Sequence, residues 1–186
     1  MITKIFDAKE LRTTKIEYKG QGCYKWWAKE ADLEQLVNGL NKVSKIVDIN
    51  EVKEQSERDP ETGFYCIYVG LSNNLKRRLN THVNGTIRRS TLRKTLGSIL
   101  QCYKHDNVES EIDNFIDSLK LQYIEMPNEN IDQKETELII EYFHLLNNDK
   151  NDHKLADRYG LKGLITDARA IAAKENPSLF KKNINK

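Results

Sequence analysis

Apolar side chains recur along this chain in two rhythms. The runs Gly20-Gln21-Gly22-Cys23-Tyr24-Lys25-Trp26-Trp27-Ala28 and Gly63-Phe64-Tyr65-Cys66-Ile67-Tyr68-Val69-Gly70 are short, glycine-bounded and rich in β-formers, and both predict strands. A third run, Leu121 to Met126, predicts a strand closed by Pro127, which has no amide hydrogen for a ladder. Elsewhere the spacing is helical. Leu33, Leu36, Val37 and Leu40 predict a helix over about 30–43. Leu75, Leu79 and Val83 predict another, opened by Ser72-Asn73-Asn74 and ended at Asn84-Gly85. Leu92, Leu96, Ile99 and Leu100 predict a helix starting near Ser90, and Ile112, Phe115, Ile116 and Leu119 one over about 111–119. Leu138, Ile139, Tyr142, Leu145 and Leu146 mark the stripe of a long helix. One or two more helices are expected from about His153, with Leu161, Leu164, Ile165, Ala168 and Ile171 inward and a basic tail after Pro177. The acidic stretch from Asp48 to Thr62, punctuated by Pro60 and Gly63, reads as a loop.

The sum is an α+β fold: a small three-stranded antiparallel sheet flanked by helices, with an inserted helix after the first strand and a C-terminal helical extension. The corresponding divisions are a lead-in over 1–17, a main domain over 18–148 with an insertion at about 29–62, and an extension and basic tail over 149–186. A chain of 186 residues is long enough to bury a core without covalent help. It contains no apolar run of membrane-spanning length and no secretory leader pattern. Its three cysteines, Cys23, Cys66 and Cys102, form no C-x-x-C pair, so reduced, buried thiols in a cytoplasmic protein are expected.

The net charge of +2 conceals an uneven distribution. Between Leu71 and His105 stand Lys76, Arg77, Arg78, Arg88, Arg89, Arg93, Lys94 and Lys104, with no Asp or Glu among them. Acidic flanks at Glu51–Glu61 and Glu109–Asp117 balance that block. Such a block is the footprint of a polyanion-binding face, although a solvated helix surface would look the same.

Arg78 and His82 are four residues apart on one helix face, shared with Leu75 and Leu79. A guanidinium there suits phosphate and an imidazole suits proton transfer, but a snorkelling helix edge has the same spacing. Glu135 lies on the stripe of Ile139 and Tyr142, so a half-buried carboxylate with a partner is expected. Magnesium is one such partner; a capping box formed with Asp132 is the other reading. Tyr24 and Tyr68 are strand tyrosines near glycines, and Trp26 and Trp27 suit either base stacking or a core. No P-loop, G-x-S-x-G, H-E-x-x-H or G-x-G-x-x-G motif is present.

Taken in order, these residues resemble the GIY-YIG endonuclease superfamily. Gly22-Cys23-Tyr24 is similar to the first motif. Tyr68-Val69-Gly70, followed by Ser72-x-Asn74-Leu75-x-x-Arg78-Leu79-x-x-His82, is similar to the second motif and its helix. Glu135 resembles the metal-binding glutamate, and Asn147 the asparagine that buttresses the site, alongside Gly70 and Asn74. The two motif tyrosines stand closer together in the family, so either the intervening segment is an insertion here or Tyr24 is not the tyrosine of the first motif. The resemblance implies a phosphodiester hydrolase using Mg²⁺ or Mn²⁺ held by Glu135. In it Tyr24 or Tyr68 would orient the attacking water, Arg78 would stabilise phosphate charge and His82 would assist proton transfer. Lys76, Arg77, Arg88, Arg89, Arg93 and Lys94 would then contact DNA, expected as duplex, with a homodimer as one route to a double-strand cut. The competing reading is a DNA- or RNA-binding module that keeps the fold without catalysis.

Overall fold

The computed structural model describes residues 4–14, 16–44, 46–103, 107–126, 131–147 and 151–180. Its sheet has four strands among these residues: β1 (Lys4–Asp7), β2 (Gly22–Ala28), β3 (Tyr65–Ser72) and β4 (Lys120–Glu125), in the order β1-β4-β2-β3 and antiparallel throughout. The expected three-stranded sheet is therefore extended by β1, from the lead-in. Four residues are too few to show an alternating pattern, and β1 is defined by its partner: Lys4–Asp7 pair with Tyr123–Lys120, and Phe6 stacks on Tyr123 at 5.7 Å between centroids.

The helices are α1 (Glu30–Leu40), α2 (Ile49–Gln55), α3 (Leu75–Asn84), α4 (Thr91–Cys102), α5 (Val108–Ser118), α6 (Ile131–Glu141), α7 (Lys154–Tyr159), α8 (Leu161–Glu175) and α9 (Pro177–Phe180). The described part of the C-terminal extension holds three helices, α7 to α9, where one or two and then a tail were expected, and two helices nearer the site also differ from the expectation. The acidic stretch read as a loop contains α2, where the Asp48 carboxylate caps the Asn50 amide at 2.8 Å and Val52 is the buried anchor. One buried apolar residue in seven is too sparse for a periodic signal. The stripe assigned to one long helix also breaks at Glu141. The Phe143 and Leu146 amides leave the helix to donate to the Gln55 and Ile67 carbonyls, both at 2.9 Å. Leu145 and Leu146 are buried as expected, but on a turn.

Every residue of β2 is buried, because both sheet faces are covered. Tyr24, Trp26 and Ala28 face the main core, which continues through α1, α3, α4, α5 and α8 to Phe180. Trp27, Cys66 and Val69 face Leu138 and Ile139 of α6. The insertion packs into the main core: Gly39 of α1 lies so close to α4 that an added Cβ would sit 2.5 Å from Ile99 Cγ2. The free edge of β3 is closed as well. Cys66 N donates to Glu57 O at 2.8 Å, and the Asn147 amide bonds both the N–H and the C=O of Val69 at 2.9 Å. No described helix is long and apolar enough to cross a membrane. The three cysteines are free and buried.

Candidate active site

Pairing of β2 with β3 sets Tyr24 opposite Gly70 and Trp26 opposite Tyr68. A shift of register between Trp26 and Trp27 leaves Ile67 as the extra residue of a bulge, which turns Tyr68 toward the face of Tyr24 and Trp26. The two tyrosine rings lie 6.3 Å apart although a long insertion separates them in sequence. Gly70 makes room for this arrangement: a Cβ there would lie 2.5 Å from the Tyr24 hydroxyl.

Helix α3 supplies the other half. The Asn74 side chain caps it by accepting from Arg77 N at 2.9 Å, and Leu75, Leu79 and Val83 sink into the core. That rotation brings Arg78 and His82 to the tyrosines. Arg78 Nε donates to the Tyr24 hydroxyl at 3.1 Å, and the same hydroxyl lies 2.9 Å from His82 Nε2. His82 Nδ1 lies 2.7 Å from Ser90 Oγ, which also accepts from Arg93 N at 3.1 Å. With the imidazole proton on Nδ1, each contact has one donor and one acceptor: Arg78 to Tyr24, Tyr24 to His82, His82 to Ser90. The Tyr68 phenol lies beside Tyr24 and is electrostatically coupled to Arg78. The sequence marks Ser90 only as the approximate start of a helix, and the structure shows that it caps that helix. Its bond to His82 crosses between helices and left no sequence signal.

Burial governs the electrostatics. His82 is fully enclosed, with the edge of Trp26 6.0 Å away between centroids. Its pKa falls to about 3, through desolvation first and then the charges of Arg78 and Arg93. At neutral pH it is therefore a neutral imidazole, an acceptor and not an acid. Burial pushes the Tyr24 phenol well up, and the positive charge of Arg78 opposes that rise. Tyr68 is also raised by burial, with Arg78 lowering it and the charge of Glu135 raising it. Tyr68 is the less enclosed of the pair, 8% exposed against 1% for Tyr24.

Glu135 is half-buried on α6 and near enough for Tyr68 to feel its charge. The capping-box reading does not hold. Since α6 begins at Ile131, Asp132 is inside the helix and Glu135 is in the second turn. Asn147 binds the backbone of Val69, directly after Tyr68, and so fixes the strand that carries it.

The basic residues divide. Arg77, Arg89 and Lys94 are exposed, and Lys76 and Arg77 line a groove together with Arg12 and Lys19. Arg88 is exposed but donates to the carbonyls of Ser178 and Leu179. Arg93 departs from the expected DNA contact. It is 3% exposed, paired with Asp113 at 2.6 Å and bonded to the His82 and Val83 carbonyls at 3.3 and 3.0 Å. Its charge is consumed in tying α3, α4 and α5 together.

The β2–β3 pair and α3 thus bring two tyrosines, an arginine and a histidine together beside a carboxylate. A family model described as the GIY-YIG catalytic domain matches residues 22–169. The chain belongs to this family, and its class of activity is nucleolytic. No curated protein and no solved structure gives a significant match.

Proposed function

We propose that the chain is a divalent-metal-dependent DNA endonuclease whose working groups are Tyr24, Tyr68, Arg78, His82 and Glu135. The observation that carries this reading is the unbroken line of hydrogen bonds from Arg78 through Tyr24 to His82 and Ser90. A tyrosine placed only for packing needs neither a guanidinium on its oxygen nor a neutral imidazole to accept its hydrogen bond.

Glu135 fits a hard cation: it offers oxygen from a half-buried position, and magnesium is commonly held by one or two carboxylates plus waters and substrate phosphate. Bound there, Mg²⁺ or Mn²⁺ would neutralise charge on the scissile phosphate and leaving oxygen. The protein groups do the rest. Arg78 lies half-buried beside both phenols, where a guanidinium pairs strongly with phosphate oxygens. Tyr24 is the better candidate to accept a hydrogen bond from the attacking water, because its own hydrogen is committed to His82 Nε2 and its oxygen faces Arg78. Tyr68, at the more open end between Arg78 and Glu135, orients that water. Arg77, Arg89 and Lys94, with Lys76, are the proposed contacts to duplex phosphates, and Arg93 is not among them. Cutting both strands would require two such sites, as in a homodimer, or two successive events.

The test is conversion of supercoiled plasmid to nicked or linear DNA in Mg²⁺ or Mn²⁺, with EDTA and Glu135→Gln as controls. Wild type should cut only with metal, and Glu135→Gln should lose about 10²-fold or more, the scale of one electrostatic group in such a site. Equal products from wild type and mutant would favour the non-catalytic binding module.

A further inference from the structure

On the sheet face turned away from Tyr24, three side chains converge that the nuclease site does not use. The Cys66 thiol, the Glu57 carboxylate and the His144 imidazole have ligand atoms all within 4.8 Å of one another. Cys66 and His144 are both 0% exposed. Neither ring nitrogen of His144 has a hydrogen-bond partner that meets distance and angle criteria among the described residues, although the Tyr142 backbone lies near the ring. A fully buried imidazole in that condition is an exception that calls for a physical reason.

The backbone holds the three residues in fixed relation. Cys66 N donates to Glu57 O at 2.8 Å, Phe143 N to Gln55 O at 2.9 Å and Leu146 N to Ile67 O at 2.9 Å. The donors thus come from three segments already tied to one another, as a preorganised site requires. We infer that Glu57, Cys66 and His144 form a second metal site, which takes zinc and is separate from the magnesium site proposed at Glu135. The donor chemistry selects the ion: one sulfur, one nitrogen and one oxygen suit zinc, whereas magnesium takes oxygen ligands.

Lys25 does not block this site. Its Nζ lies 2.7 and 2.6 Å from the two Glu57 oxygens, yet each carboxylate oxygen keeps another lone pair. One oxygen can ligate the ion while the lysine stays as the outer hydrogen-bond partner that metal-bound carboxylates commonly have. On binding, a sulfur–zinc bond replaces the S–H bond of Cys66 and the proton leaves to solvent, with no change of oxidation state. The ion would clamp the Gln55–Glu57 segment and the 143–147 turn onto β3. That turn carries Asn147, so the site would stiffen the active-site strand from behind. This inference stands independently of the nuclease reading.

The experiment is titration of the metal-free full chain with Co²⁺ as a spectroscopic stand-in for zinc. A thiolate-to-cobalt charge-transfer band is expected, saturating at one ion per chain and abolished by added Zn²⁺. Glu135→Gln should retain the band, since the proposed catalytic site has no sulfur; Cys66→Ser should lose it. His144→Leu gives a second arm: free of metal it should melt no lower than wild type, because an unpartnered polar ring is gone. It should also lose the zinc-induced rise in Tm that wild type shows. The inference is overturned if wild type gives no band, if the band survives in Cys66→Ser or His144→Leu, or if zinc raises the Tm of His144→Leu as much as that of wild type.

Discussion

Replacing Tyr24 by phenylalanine separates what the phenol does for folding from what it does for chemistry. The ring fills the same space, 1% exposed, so no cavity opens. What disappears is one oxygen that accepts from Arg78 Nε at 3.1 Å and meets His82 Nε2 at 2.9 Å. Arg78 is half-buried and retains Tyr68 as a partner, so its loss is small. His82 is fully enclosed, and its Nε2 would be left unsatisfied at a cost of about 1–3 kcal/mol. Loss of one positioned hydrogen-bonding group costs about 10²–10³ in rate, equivalent to roughly 2.7–4 kcal/mol in the barrier. Urea unfolding should therefore show a modest loss of stability, while single-turnover plasmid nicking in Mg²⁺ should fall far more than that loss explains. Tyr68→Phe should lower the rate less, because its hydroxyl has no link to His82. If Tyr24→Phe nicks like wild type while Tyr68→Phe is dead, the assignment of the two tyrosines is reversed and the relay through His82 has no catalytic role.

Three further outcomes follow from the same geometry. Gly70→Ala would place a Cβ 2.5 Å from the Tyr24 hydroxyl, so overpacking of about 1–3 kcal/mol and a displaced phenol should lower nicking, although residue 70 contributes no functional group. Asn147→Ala strips both 2.9 Å bonds from the buried Val69 backbone and should cost about 2–4 kcal/mol in urea unfolding, with loss of activity as β3 loosens. His82 and His144 each have a pKa lowered from 6.5 to about 3 by burial. The unfolded chain therefore binds more protons than the folded one between those values, and stability is fully present above the unfolded pKa and lost as pH falls through that window. Going from pH 7.5 to 5 in EDTA should cost about 2 kcal/mol per histidine, and a flat profile of stability against pH would show that the imidazoles are not enclosed.

What the sequence made legible is what lies within one element. Leu75, Leu79, His82 and Val83 fall on one helical stripe, so the burial of His82, and with it the approach of Arg78 to the sheet, follows from spacing alone. The same reasoning applied to Arg93 marks it as inward, three and seven residues before Leu96 and Leu100. The sign of its charge drew it instead into the basic surface. The feature that makes its burial tolerable is Asp113, on another helix, and no local pattern reveals a partner across elements. The long insertion obscured Tyr24 for a related reason: strand pairing ignores distance along the chain, and only the β2–β3 register sets Tyr24 against Gly70.

The two faces of β3 carry this argument to the site itself. Regular alternation would put Cys66 and Tyr68, two residues apart, on the same face of β3, and the bulge at Ile67 breaks that alternation. Without that bulge, Tyr68 would share a face with Cys66, and Tyr24 would have no tyrosine beside it. With it, one strand presents a phenol to Arg78 on one side and a thiol to His144 and Glu57 on the other. The bulge is thus the local reason that two residues only two apart on one strand serve both the proposed catalytic pair and the proposed zinc ligands, where a regular strand would have set them on one face.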